Sequence, residues 1–281
     1  MADDPAGPIS TAAAERAARS DGPRLAGGLG SPVTRAAAIT VGALLGWQFI
    51  GAPVFEFLPA PSEIVQVVVD RAASLWSATV STGSVAVLGF VIGCTLAIIL
   101  ALVSLVHPSV EHAVLRLGLA LYAVPLIVVA PIFVLWLGVG STRPRVALSA
   151  LAVFFGVLVN AIRGLRAVDR NRVEFLRVVS ASPLQTLRYL RVPSALPYLI
   201  NGFKVAAPAA VFGAVVGEWV GANEGLGVVL LYSLFQYQVD ILWTAMILTT
   251  VVALAGYGIF GLAEKVLIPW HESVKTSRLE S

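Results

Sequence analysis

The residues able to do chemistry in this chain are few, and most of them are arginines. Seven of the nineteen Lys and Arg fall between 163 and 202: Arg163, Arg166, Arg170, Arg172, Arg177, Arg188 and Arg191, with Glu174 among them. No catalytic grouping stands out. His107, His112 and His271 are scattered and form no H-E-x-x-H or similar cluster, and Cys94 is alone inside an apolar run. Neither a Cys-based metal site nor a disulfide framework can be built from these. No G-x-x-x-x-G-K-[ST] loop occurs, so the chain does not itself hold ATP by a Walker A turn. An intramembrane hydrolase needs a Ser–His or paired-Asp constellation, and all three histidines lie outside the apolar runs. What remains is a basic segment suited to docking, either on a soluble partner or on anionic lipid.

The elements around that segment are apolar. Of 281 residues, 58% are hydrophobic and 12% charged, with mean hydropathy +0.87, against about 25% charged in soluble domains. The composition indicates an all-α integral membrane protein with about six transmembrane helices of roughly 20 residues each. Residues 1–32 carry too little apolar bulk to fold and read as a disordered tail. Spans are expected at 36–57, 83–106, 117–139, 146–162, 194–217 and 241–263, with an interfacial helix over 62–76. Pro125 and Pro131 bend the third. Gly89 and Gly93 permit close helix approach in the second, and Lys204 snorkels from near the start of the fifth. Gly213, Gly217, Gly221 and Gly225 recur every four residues. A loop through Glu218, Asn223, Glu224 and Asp240 leads to the sixth. The units are a tail (1–32), a membrane domain (33–271, with the basic loop 163–193) and a tail (272–281).

Lys and Arg set the orientation. With the N-terminus cytoplasmic, sixteen of the nineteen lie on the cytoplasmic side, leaving Arg71, Arg143 and Arg145 outside. The basic insert is therefore expected in the cytoplasm, and both tails with it. It reads as two short helices. The first, 172–179, has Glu174 near its N-terminus, where the helix dipole favours an anion. Ser180 to Pro183 break it, Ser182 caps the second, and Pro183 opens it. Pro193 and Pro197 are expected to end that second helix.

The order of residues in the insert resembles the EAA loop of binding-protein-dependent permeases, the membrane subunits of type I ABC importers. In the pattern E-A-A-x3-G-x9-I-x-L-P, Glu174, Ser180, Leu190, Val192 and Pro193 fall at the required spacings, followed by Pro197 and Gly202. Phe175 and Leu176 replace the alanines, and Ser180 replaces the glycine. The resemblance covers about 60–271. Val124–Gly140 is similar to the proline-containing third span of the nitrate, sulfonate, taurine and thiamine-precursor branch. Gly217–Gly227 and the PWH of Pro269–His271 are similar to that branch's later segments. Its arginine near the start of the second span is absent around Thr82–Gly83, and Arg143–Arg145 replaces an acidic link.

The resemblance implies that Glu174, Arg177, Ser180, Ala181, Ser182, Leu187, Arg188, Leu190 and Pro193 form a coupling surface for an ATPase subunit. It implies two ATPase copies, which bind the ATP and Mg, so that no cofactor sits in this chain. It further implies a second permease copy as a homodimer, a periplasmic or lipid-anchored substrate-binding protein, and a multi-pass place in the bacterial cell membrane. Nothing points to nucleic acid. Solute would pass along the third, fifth and sixth spans, with Tyr122, Pro125, Asn201, Gly213, Gly217 and Glu218 as pathway residues. Each also admits a plainer role: the glycine face packs helices, and Glu218 caps the fifth span. A secondary transporter or channel is the rival reading, but it calls for intramembrane charges or inverted repeats. The spans hold only Lys204 near an edge, and no charge constellation that selects sulfonate or nitrate over a neutral pyrimidine. The W-V-G-A-x-x-G-L-G form and the PWH ending lean slightly toward the pyrimidine.

Overall fold

A computed structural model describes residues 32–54, 57–106 and 108–268. Of the expected N-terminal tail only Pro32 is described, and it opens a helix; the expected C-terminal tail, with His271, lies outside the described residues. The described chain is helical: α1 (Pro32–Val54), α2 (Pro61–Asp70), α3 (Ala72–Val106), α4 (Pro108–Ala123), α5 (Leu126–Leu137) and α6 (Arg143–Arg166) lead to the basic loop. There follow α7 (Arg170–Val178), α8 (Pro183–Thr186), a π-helical turn (Leu187–Arg191), α9 (Val192–Trp219), α10 (Leu226–Phe235) and α11 (Val239–Leu267).

Four of the described helical stretches are long and apolar enough to cross a bilayer: 72–105, 143–166, 183–219 and 239–267. The pair α4 and α5 makes a fifth if counted as one span. Its axes differ by 98°. The third span is thus a sharply broken pair of helices rather than one bent helix. The break falls at Val124-Pro125, because proline disfavours a helical residue before it. Pro131 sits inside α5 without ending it.

α6 is the central helix, packed between α3 and α9. The approach is close because glycines meet its backbone. A Cβ at Gly93 would lie 2.6 Å from the Ala150 carbonyl oxygen, and one at Gly213 would lie 2.7 Å from the Ser149 Cα. Ser149 adds a hydrogen bond, its hydroxyl donating to the Ala210 carbonyl at 2.9 Å. Val85, Ala97, Val153, Val157, Leu158 and Ala214 fill the core between these helices. α11 lies outside: only 6% of its most apolar stretch is buried. α1 meets it where the Trp47 and Trp243 rings lie 6.0 Å apart, and the Trp243 indole N–H donates to the Phe57 carbonyl in the link that follows α1.

Three further expectations change. The segment 62–76 is not one interfacial helix; Arg71 divides α2 from α3, which takes in Leu75 and Trp76. The link from Glu218 to Asp240 contains a helix, α10, because Leu226–Phe235 is an apolar run that starts behind a glycine. Pro193 and Pro197 do not end the second insert helix. Pro193 falls in the first turn of α9, just after the π turn, whose wider ring and local adjustment accommodate the missing N–H.

Candidate functional site

The basic loop is held by its own caps. The Asp169 carboxylate accepts from the Asn171 N–H at 2.9 Å and starts α7. Ser182 and Gln185 close a reciprocal capping box at the start of α8, with bonds of 3.2 and 2.7 Å, as the S-P-L-Q order indicates. Between them the chain turns at Ser180, φ +56°. The Ser180 N–H donates to the Arg177 carbonyl and the Ala181 N–H to the Leu176 carbonyl, both at 2.9 Å. That pair of bonds is a Schellman turn, whose pivot residue is left-handed and favours glycine. Ser180 occupies the pivot.

α7 has no buried residue. Glu174 is exposed and accepts from the Arg170 Nε at 3.0 Å. Phe175, Val178, Val179 and Leu184 stand exposed among the arginines, an apolar and basic surface presented outward. Leu187 turns inward and packs on the core. Arg191 donates to the Leu165 carbonyl at 3.2 Å, and Arg166 pairs with Glu111 on α4. From Pro183 to Trp219 the chain is one continuous helical stretch, so the loop and the fifth span are mechanically joined.

On the bundle face where α4 meets α5, a cavity of about 740 Å³ opens against α6 and α9. Of the expected pathway residues it gathers Tyr122 and Pro125, and adds Phe155, Asn160, Phe212 and Trp219. A second groove of about 770 Å³ shares Phe155 and Val159 with it and runs past Arg163, Arg166 and Tyr198 toward the basic loop. Asn201 is exposed on α9 and lines neither. Gly213 and Gly217 are buried against α6, and Glu218 lies in a separate buried cluster.

Residues 89–270 match the family described as "Binding-protein-dependent transport system inner membrane component". This chain belongs to that family. The formylaminopyrimidine transport permease ThiX of Halalkalibacterium halodurans is 34% identical, over 80% of this chain and 89% of that protein. The riboflavin transport system permease RibX of Chloroflexus aurantiacus is 32% identical, over 82% of this chain and 87% of that protein. The fold is similar to that of a solved chain from the inward-facing MetNI methionine ABC transporter. That match has a TM-score of 0.53 at 21% identity and covers 68% of this chain and 94% of that one. The protein is a multi-pass ABC importer permease.

In this permease the end opposite the basic loop holds the buried polar cluster. Glu218, 1% exposed, accepts from the Thr82 hydroxyl at 2.8 Å and from the Gly227 N–H at 2.7 Å. Thr82 in turn accepts from the Leu226 N–H at 2.8 Å. Side chains from α9 and α3 thus cap α10, an anion at a helix N-terminus. Both glycines of G-L-G are required by it: a Cβ at Gly225 would lie 2.3 Å from the Glu218 Cδ, and one at Gly227 2.8 Å from its Oε2. Arg145, 7% exposed, packs on Gly217 and donates to the Glu224 carbonyl at 3.3 Å.

Sequence reasoning missed two features. Lys204 does more than snorkel: its ammonium is 2.9 Å from Glu264 on α11 and 5.3 Å from the Tyr257 ring. Asn160, near the end of the fourth span, lines the cavity. The signal for Lys204 was available, since a lysine inside an apolar helix calls for a carboxylate or an aromatic face.

Proposed function

We propose that the permease is the membrane half of an ATP-driven importer, coupled to a separate ATPase through the loop 163–193. The observation that carries this is the exposed, self-capped α7–α8 surface with Glu174 on it, whose α8 runs on into α9 as one helical stretch. A docking helix fixed to a membrane span converts movement of a soluble partner into movement of that span. ATP-driven closure of two ATPase copies would shift the loop as a rigid lever and switch the spans between inward- and outward-facing arrangements. Glu174, Arg177, Ser180, Ala181, Ser182, Leu187, Arg188, Leu190 and Pro193 form or shape the coupling surface. Residues 33–271 act as one unit beside a second copy, fed by a substrate-binding protein. The sixteen-to-three division of Lys and Arg supports a cytoplasmic loop and cytoplasmic termini. The solute is small: a pyrimidine-type precursor, a sulfonate or taurine, or nitrate.

Glu174→Lys tests the reading, because it reverses the one acidic charge of α7 while leaving its caps intact. The variant is expected to lose binding-protein-stimulated ATP hydrolysis and uptake by tenfold or more, with normal membrane insertion. Uptake and stimulation equal to the parent protein would sink the coupling role. Co-purification adds a simple check, since an importer half brings down an ATPase subunit and a channel or secondary transporter does not.

A further inference from the structure

The 740 Å³ cavity falls within the roughly 300–1,000 Å³ usual for small-molecule sites, and its chemistry is narrow. Among the described residues, no Asp, Glu, Lys, Arg or His lines it. Tyr122 and Phe155 stack with centroids 5.2 Å apart and planes inclined by 29°. Phe212 and Trp219 bring two more π faces from α9. Besides the Tyr122 hydroxyl and the Trp219 indole N–H, the polar side chain lining it is the Asn160 amide. Its Nδ2 donates to the Gly156 carbonyl at 2.8 Å. A carbonyl only accepts, so that bond fixes which end of the amide is nitrogen and leaves Oδ1 as an acceptor. No described residue donates to that oxygen.

An aromatic wall with an unused acceptor and no charge discriminates by class. A sulfonate or nitrate entering it would shed water with no cation to replace it. A flat ring gains contact with the π faces, and an N–H on that ring donates to the Asn160 oxygen, which accepts from no described residue. We infer that the cavity binds a neutral, flat heteroaromatic ring bearing an N–H donor, with Asn160 as the acceptor and Tyr122 and Phe155 as the stacking face. This rests on the reading of the chain as an importer permease, and it gives the membrane subunit a selection step of its own. The groove shared through Phe155 and Val159 is the route from the cavity toward the basic loop.

The test uses the full permease with its co-expressed ATPase in lipid nanodiscs, without binding protein. 4-Aminopyrimidine, 4-methylpyrimidine and taurine are titrated by calorimetry and tryptophan fluorescence. 4-Aminopyrimidine is expected to bind saturably and about tenfold tighter than 4-methylpyrimidine, the worth of one net hydrogen bond. Taurine is expected not to bind. Asn160→Leu should erase the tenfold preference while leaving 4-methylpyrimidine binding and ATPase co-purification in place. A wild-type complex that binds neither ring has its cavity filled by the second copy or by lipid, and overturns the proposal. So does equal affinity for the two rings, saturable binding of taurine, or a preference that survives Asn160→Leu. Should Asn160→Leu fail to insert, Tyr122→Ala on the exposed rim is expected to weaken both rings alike, and undiminished binding there overturns the proposal as well. Absence of a co-purifying ATPase would refute the importer reading itself, whatever the rings do.

Discussion

Ser180 sits at the turn where the loop reverses, in a backbone conformation that glycine adopts freely. A side chain there costs about 1 kcal/mol, and the Schellman bonds from Ser180 and Ala181 hold it in place. Ser180→Gly is therefore expected to tighten the loop, slowing exchange of the Ala181 amide by about fivefold in hydrogen-exchange measurements. Ser180→Val puts a β-branched side chain at positive φ and should loosen the turn, seen as faster cleavage at Arg177 and Arg188 in limited proteolysis. The opposite end of the molecule has the reverse geometry. Gly227 leaves no room, with Glu218 and the Val215 carbonyl at 2.8 Å from the position of a Cβ. Two of these neighbours are backbone or buried carboxylate, so neither gives way easily. Gly227→Ala should cost about 2 kcal/mol and release the cap on α10, read as a lower thermal midpoint of the purified transporter. An unchanged midpoint would mean that α10 does not depend on this contact.

Between elements, the Lys204–Glu264 pair ties α9 to α11 across their basic-loop ends, and Tyr257 backs it. Each side chain is 18% exposed, so each loses most of its hydration and relies on the other. Lys204→Met should destabilise by about 2 kcal/mol, whereas Lys204→Met with Glu264→Leu should recover much of that loss. Thermal unfolding of the parent, the two single variants and the double variant in one detergent measures this, and additive single effects would show that the two helices are not coupled here. This pair also marks how far the sequence could be read. Apolar runs and proline spacing located the broken third span near Pro125 and the fifth and sixth spans to within a few residues, because burial in lipid demands continuous apolar helix. Ser182 and Pro183 announced the start of α8, since capping is local. The partners of Lys204, Thr82 and Glu218 were out of reach: they lie 60 and 136 positions apart in the chain, and only the packing of helices brings them together. Asn160 escaped for the same reason, as its meaning comes from the aromatic rings of α4 and α9 around it. Pro193 misled because its effect depends on a π turn that no local pattern signalled.

At the scale of the whole molecule, α8, the π turn and α9 form one helical stretch from Pro183 to Trp219. α9 in turn packs on α6 over most of its length through Gly202, Gly213 and Gly217. A force applied at Glu174 or Leu184 reaches the cavity wall at Phe212 and the Glu218 cluster only if this stretch does not flex. The weak point is its first α-helical turn, where Val192 is exposed and Ser194 half-buried, so glycines can enter without opening the core. Val192→Gly with Ser194→Gly costs about 0.5 kcal/mol per site in helix propensity and replaces no residue of the coupling surface named above. The double variant is expected to keep its ATPase partner on co-purification and to keep ATP hydrolysis, while solute uptake per ATP falls several-fold. Hydrolysis without transport is the signature of a lever with a hinge in it. Equal loss of both would mean that the glycines had damaged docking, and full retention of uptake would mean that α9 is not the element that carries the movement.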